Sequence, residues 1–470
     1  MRRDLAGGRP PEELAPECPA VYLLPFRDSV LLFAPHHRLA SLLSAGAAGS
    51  LRRRLEHGGR NDLPPALAPI VDRLSATASP PSVPTGPFLP RKLGLVVTTG
   101  CSQRCRYCGV EAGRSAPRTM TPEIAEAGLR YQAGVARRHG LRSLSVYHFG
   151  GEPLTALEVL GTVDRLGRRL ASDLGVPFRA TCTTGGFVSD RAARWAARHL
   201  CYVVVSIDGP AELHDALRPA ADGGPTHDRV VRTLRLFADE GLPYALRCTV
   251  TDRTIGRLPE VVEDLCTRHR PTVVNIEPVT AIGGASRSDI GPPDGRDFVA
   301  GVVTAGRIAR RHGVGLKLST VSPESARRSS CGLAEDNLVI APDGLATGCY
   351  HVQGRESPVA DRVAFGDVTT DGEVRIDPER LDAVRRLGVE RRASCGHCFA
   401  RFSCAGGCLV AGDPDPDACR AVRALTIWRL LERMRLFDAA DTVTIEDADP
   451  DPLVLPVAVD DRDTGRRIAS

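Results

Sequence analysis

An apolar, strand-like run followed by a helical one recurs six times between residues 93 and 312, and nothing else limits the fold as much. The strand-like runs are Leu95–Thr99, Ser143–Phe149, Phe178–Thr183, Tyr202–Ser206, Tyr244–Val250 and Val273–Glu277. Helical spacing follows each one, near 122–139, 155–173, 189–199, 227–241, 257–268 and 295–312. Units of this kind need crossover connections, so their strands pair in parallel with helices outside. The expected fold class is α/β, a partial barrel of six β/α units over 91–312. In such a barrel the chemistry sits at the C-terminal ends of the strands.

The loop after the first strand is Cys101-Ser-Gln-Arg-Cys105-Arg-Tyr-Cys108. Three thiolates at C-x3-C-x2-C suit a metal or an iron–sulfur cluster. Three is one short of the usual four for a four-iron cluster, which leaves one iron open to a substrate or cofactor. The second strand runs into Gly150-Gly151-Glu152-Pro153. Paired glycines let backbone approach a ligand closely, and a helix start offers free N–H groups. A tight turn without a ligand is the plain alternative.

The chain has 15 cysteines in 470 residues, and their use depends on compartment. No apolar run is long enough to span a membrane. Met1-Arg-Arg-Asp-Leu begins the chain with charge but no apolar core after it, so a secretory signal is not expected. The expected location is the cytoplasm, where thiols stay reduced and act as ligands rather than disulfides. A net charge of +4 argues against nucleic acid or a membrane surface as the main partner.

Residues 1–75 read as a small N-terminal α+β unit. Its first 19 residues are expected to be mobile. Two short strands then flank an Arg27-Asp28 turn, and a helix is expected over 37–55. Residues 76–90 form a Pro-rich linker. A Cys-rich region spans 313–438 and ends in an amphipathic helix over 422–436. Residues 439–470, alternating acidic and Pro positions, read as a loose tail.

The C-x3-C-x2-C loop with Tyr107 before its last Cys, followed by Gly150-Gly-Glu-Pro153, resembles the radical SAM enzymes. The resemblance implies that Cys101, Cys105 and Cys108 hold a four-iron, four-sulfur cluster whose open iron binds S-adenosylmethionine (SAM). One electron then splits the sulfonium, and the 5′-deoxyadenosyl radical takes hydrogen from substrate. Further matches are Thr183-Thr-Gly-Gly186 and Ser206-Ile-Asp-Gly-Pro210 with His214-Asp215 and Arg218-Pro219. They imply cofactor contacts from Gly150, Gly151, Glu152, Pro153, Ser206, Asp208 and Arg247. For Asp208 a turn or cap, and for Arg247 a structural ion pair, are the plainer readings. Ser102 and Thr184 stand where relatives carry Asn; neither change removes a cluster ligand.

Beyond residue 330 the spacing C-x2-C-x5-C-x3-C over Cys395, Cys398, Cys404 and Cys408 joins Cys331, Cys349 and Cys419. These seven resemble the SPASM domain, an auxiliary-cluster module behind radical SAM barrels. The resemblance implies one cluster on Cys395, Cys398, Cys404 and Cys419 and a second on Cys331, Cys349 and Cys408. Residues 267–330 hold no further Cys, so the second cluster is expected to have a non-Cys or vacant position. Structural zinc is the competing reading of such spacing. His397 reads as a solvated loop residue, and Cys182, Cys201 and Cys248 as small hydrophobes.

Relatives of this two-part architecture modify peptides or proteins. Sulfatase-maturing members place Asp after the Cys equivalent to Cys349, where this chain has Tyr350 and His351. Tyr350 is a candidate acid/base or radical relay, with a packing role as its alternative. The function expected is maturation, by cross-linking, of a ribosomally made precursor peptide. The N-terminal unit would hold the leader segment, and a flavodoxin or ferredoxin would donate electrons. Sulfatase-type protein maturation and a zinc-stabilised binding protein without chemistry are the alternatives.

Overall fold

The structure is a computed structural model and describes residues 21–57, 63–114, 116–448 and 453–455. The mobile segment expected over residues 1–19, with Cys18, lies outside the described residues, as does the end of the chain beyond Leu455. The described part opens with β1 (Val21–Phe26), β2 (Ser29–Ala34) and β3 (Leu39–Ser44), then α1 (Ala45–His57) and α2 (Ala68–Ser75). Arg27 and Asp28 turn β1 into β2, with Arg27 at φ 53° as a two-residue hairpin turn requires. The helix expected from residue 37 begins only at Ala45. Leu39–Ser44 is too short an apolar run to settle its own period, and the edge of β2 takes it up as a strand.

The parallel region comprises β4 (Lys92–Thr98), α3 (Pro122–His139), β5 (Leu144–Gly150), α4 (Leu157–Leu174), β6 (Phe178–Thr184), α5 (Asp190–His199) and β7 (Tyr202–Ser206). It continues through α6 (Ala211–Leu217), α7 (His227–Asp239), β8 (Tyr244–Val250), α8 (Leu258–His269), β9 (Val273–Pro278) and α9 (Gly295–Arg311). β4 to β9 pair in parallel in chain order. In β4, Leu93 and Leu95 to Val97 are all buried, as expected of a strand covered on both faces. Along β5, Leu144, Val146 and His148 are buried, whereas Tyr147 and Phe149 point the other way, into the barrel.

The sheet does not stop at six strands. β10 (Gly315–Lys317) adds beyond β9, and β11 (Asn337–Ile340) pairs in parallel with β4. β12 (Leu345–Thr347), then α10 (Ala360–Val363), β13 (Ala364–Val368) and β14 (Val374–Ile376) follow, these strands pairing antiparallel. The result is one open sheet of eleven strands, β10-β9-β8-β7-β6-β5-β4-β11-β12-β13-β14. The Cys-rich region is therefore built onto the first barrel strand rather than hung from it.

α11 (Pro378–Arg385), α12 (Pro416–Arg433) and α13 (Phe437–Ala440) complete the helices, and β15 (Leu453–Leu455) closes the described chain. β15 pairs antiparallel with β1, placing Leu455 opposite Val21. The reading of 439–470 as a loose tail is corrected over this stretch. Val443, Ile445 and Ala448 are buried, and β1 gains a partner for its open edge. The Pro-rich linker is also tied down: Phe88 packs edge-on against Phe365 at 5.1 Å, and Arg385 donates to the Gly86 carbonyl at 2.8 Å.

Candidate active site

The loop leaving β4 carries Cys101, Cys105 and Cys108 and is clamped along its length. Arg104 N donates to Pro219 O at 2.8 Å and Arg106 N to Leu217 O at 2.9 Å. The Arg104 guanidinium reaches Cys101 O at 2.7 Å. Gln103 is buried and donates from Nε2 to Thr226 Oγ1 at 3.2 Å. The ring of Tyr107 faces inward, where its hydroxyl bonds the Asp208 carboxylate and accepts from Arg218 Nη1 at 2.6 Å. Asp208 also accepts from Thr249 N at 3.0 Å. A buried Tyr107–Asp208–Arg218 network thus locks the cysteine loop to β7 and β8.

The Gly-Gly-Glu-Pro turn is fitted against that loop. Gly151 N donates to Thr98 O at 2.7 Å and Glu152 N to Gly100 O at 2.8 Å. Gly150 has φ +140°, and a side chain on either glycine would collide with the backbone of Thr98 or Gly100. Glu152 turns away from the open space. Its carboxylate accepts from Thr184 Oγ1 at 2.8 Å and Gly185 N at 2.8 Å. Burial raises its pKa, and these donors offset part of the rise.

A cavity of about 280 Å³ opens above these turns. Cys101, Cys105, Cys108, Gly150, Gly151, Ser206 and Arg247 line it, so the structure brings together most of the expected residues. Glu152, Pro153 and Asp208 lie behind it. Tyr350 is not on its wall either. Its ring packs edge-on against Tyr147 at 5.2 Å and Phe149 at 5.3 Å, and its buried hydroxyl has no hydrogen-bond partner. The packing alternative describes this placement better than an acid/base role does. A larger groove of about 850 Å³, edged by Arg165, Arg191, Arg194 and Arg198, lies between α4 and α5 and holds none of these residues.

The sequence reading missed His351, Glu277, Gln103 and Arg218 as wall residues. Glu277 lies in the C-terminal end of β9, a position the barrel rule could have flagged. Arg218 appeared only as part of a motif. His351 was legible only as a neighbour of Cys349.

The seven downstream cysteines fall into two groups. Cys331, Cys349 and Cys408 act electrostatically on one another, and Cys395, Cys398, Cys404 and Cys419 do so separately. Burial pushes Cys101 and Cys349 up to about 12 and Cys105 up to about 11, the last against the pull of Arg218. Such thiols are neutral until a metal displaces their protons. Cys408 differs. Burial raises it, but hydrogen bonds from His351 and the backbone at Ala411 and Val410 hold it down to about 7. Cys408 and His351 both reach the cavity wall.

In kind, these thiols fit iron–sulfur clusters. Among the described residues, no three His, Cys, Asp or Glu side chains are gathered tightly enough for a single metal ion. Cluster ligands sit on separate irons and so stand farther apart than the ligands of one zinc.

Residues 95–266 match the model of the radical SAM superfamily. The match assigns a radical SAM domain to that part of the chain, within an α/β fold. The C-terminal Cys-rich region is consistent with a SPASM domain. The chain is similar to the cysteine-type anaerobic sulfatase-maturating enzyme of Clostridium perfringens, with 22% identity across 68% of this chain and 89% of that one. It is likewise similar to the mycofactocin maturase of Mycobacterium ulcerans, with 24% identity across 70% and 87%. The solved structure of native anSMEcpe with bound AdoMet and Cp18Cys peptide shares the fold, at TM-score 0.56 and 17% identity. That match covers 75% of this chain and 100% of the other.

Proposed function

We propose that the chain is a radical SAM maturase that cross-links a ribosomally made precursor peptide. The observation that carries this reading is one cavity lined at once by the three barrel cysteines and by Cys408 of the auxiliary group. A substrate held there lies between two thiolate sets. In this reading Cys101, Cys105 and Cys108 hold a four-iron cluster, while Gly150, Gly151, Ser206 and Arg247 meet SAM. When bound and reduced by one electron, that pair supplies hydrogen-atom abstraction through a 5′-deoxyadenosyl radical. Arg218 and Arg247 bring positive charge to a wall that must face a carboxylate. Cys395, Cys398, Cys404 and Cys419 hold one auxiliary cluster; Cys331, Cys349 and Cys408 hold another with one position free of Cys.

Cross-linking removes two hydrogen atoms from the peptide. One leaves as the new hydrogen of 5′-deoxyadenosine. The other leaves as a proton, with its electron passing to the auxiliary clusters. That need for an acceptor is why cross-linking is preferred. A peptide substrate is supported by the relatives, two kinds of maturase, and by the peptide held in the solved structure. A flavodoxin or ferredoxin in the cytoplasm is the proposed electron donor. Among the described residues no helix is long and apolar enough to cross a membrane.

The N-terminal unit is the proposed leader-binding element. Its sheet runs β15-β1-β2-β3, so β3 has one edge without a strand partner among the described residues. An extended peptide can add to such an edge. Hydrogen exchange on the whole protein tests this: the leader should protect amides of β3, and unchanged exchange there would remove the assignment.

The deciding experiment is anaerobic reconstitution with SAM, a reductant and any short precursor-like peptide that the neighbouring genes are found to encode. The expected products are 5′-deoxyadenosine and a peptide lighter by two hydrogen atoms. Deoxyadenosine release with unchanged peptide mass would overturn cross-linking. Formylglycine made in a sulfatase-derived peptide would move the assignment to the sulfatase-maturing reading, which the sulfatase-maturating relatives keep open.

A further inference from the structure

The groove between α4 and α5, about 850 Å³ in volume, has a charge balance that the site does not use. Arg191, Arg194 and Arg198 are exposed along one side of α5, each a helical turn from the next. Arg165 faces them from α4, where a Cβ on Gly161 would come within 3.3 Å of its Nη1. Among the described residues Arg191, Arg194 and Arg198 form no ion pair. Asp190, the only acid of α5, is taken by α7, accepting from Arg229 at 3.0 Å and Arg232 at 2.9 Å. Glu158 is the only carboxylate that lines the groove. Between the arginines sits half-buried Trp195, with the His199 ring stacked on it at 4.7 Å and 10°. That ring is held in turn, its Nδ1 bonded to the buried Asp164 carboxylate at 2.8 Å. The result is a fixed indole among cations that the fold leaves without counter-charge.

We propose that this groove docks an acidic one-electron donor protein of the flavodoxin kind, with Trp195 as the anchor and Arg191, Arg194 and Arg198 as the charged rim. This rests on the reading of the chain as a radical SAM maturase, which needs such a donor. Trp and Arg are the side chains that most often dominate binding energy between proteins. Charges spread over roughly two helical turns suit dispersed acids on a protein surface; a single phosphate favours donors that converge on one point. Electron-transfer encounters are small and steered by charge, so a ridge of this size is sufficient.

The place fits as well. α4 leaves the Gly150–Pro153 turn and α5 follows the Thr184–Gly186 turn. Glu152 ties the two turns together by accepting from Gly185 N at 2.8 Å. Gly150, Gly151, Thr184 and Gly185 line the cavity that holds the barrel cysteines, so the groove lies behind that wall. In the proposed function SAM and peptide fill the cavity, and the donor must approach from another face. The auxiliary region joins the barrel at β4 and α9, away from α4 and α5.

The test measures release of 5′-deoxyadenosine from SAM by the full-length, cluster-loaded protein, with reduced flavodoxin or with dithionite as sole electron source. Arg191→Glu, Arg194→Glu and Arg198→Glu together should slow flavodoxin-driven release by about tenfold or more at low ionic strength. Dithionite-driven release should be unchanged, which shows that the fold and the barrel cluster are intact. Arg137→Glu, Arg138→Glu and Arg142→Glu, the same change of charge at the end of α3, should leave both rates alone. Trp195→Ala should slow only the flavodoxin-driven reaction, and sodium chloride should slow wild type with flavodoxin but not with dithionite. Equal loss in the α3 variant would overturn the inference, as would a flavodoxin-driven rate that the α5 variant retains. ATP that inhibits the flavodoxin-driven reaction beyond sodium chloride of equal ionic strength would overturn it in favour of a phosphate ligand. Wild-type protein that releases no deoxyadenosine even with dithionite would defeat the underlying reading and the docking site with it.

Discussion

At the scale of single residues, the site separates groups that touch the cavity from groups that hold those in place. Cys105 lines the cavity, and its removal should abolish release of 5′-deoxyadenosine from SAM; continued release would refute its role. Cys398 belongs to the outer group, so Cys398→Ala should spare part of that release yet stop net change of the peptide, as read by mass spectrometry. Gly151→Ala tests the close approach of two backbones. The new methyl would meet the carbonyls of Gly100 and Thr99. Overpacking of this kind costs about 1–3 kcal/mol. Here it should appear as weakened SAM binding by calorimetry, with the iron content unchanged. Wild-type affinity would show that the turn has slack.

At the scale of elements, the C-terminal region is held to the barrel by α12 lying on α9. Trp428 is completely buried, and a Cβ on Gly306 would come within 2.5 Å of its ring. The glycine is thus the socket for the indole. Arg310 on α9 bonds Asp441 at 3.0 Å and also Glu432 of α12. Trp428→Ala should cost about 3–5 kcal/mol, the range for deleting a large buried aromatic side chain. Denaturant unfolding would report it, and a loss below 1 kcal/mol would mean this contact is not what joins the two parts. Because β11 pairs with β4, the damage should reach the cysteine loop and lower iron uptake at both ends.

At the scale of the whole molecule, the N-terminal unit is packed against the auxiliary region. Tyr22 meets Phe399 edge-on at 6.4 Å, and His36 meets Phe402 at 5.1 Å. Phe399 and Phe402 lie between Cys398 and Cys404, so β1 and the turn after β2 rest on that cysteine loop. Burial lowers His36, His148 and His269 from 6.5 to about 4. The folded protein keeps these rings neutral, whereas the unfolded chain protonates them below about pH 6.5. Stability is therefore full above pH 6.5 and is lost as pH falls toward 4. Unfolding curves at pH 7.5 and 5.5 should show the lower midpoint at the lower pH; coincident curves would contradict the buried, neutral rings.

The parallel β/α order and the cysteine loop after the first strand were legible in the sequence alone, as was a second, separate field of cysteines beyond residue 330. Each rests on local spacing, which the chain carries wherever it folds. Tertiary structure alone decided that β11 extends the barrel sheet, that Leu39–Ser44 is a strand, and that β15 returns to β1. A short apolar run has no period of its own, so the edge it meets chooses its conformation. The same holds at the site. Asp208 and Glu152 carry the charge expected of cofactor contacts, yet burial and hydrogen bonding made them supports for the loop. His351, unremarkable in the sequence, reached the cavity because two distant turns closed on it.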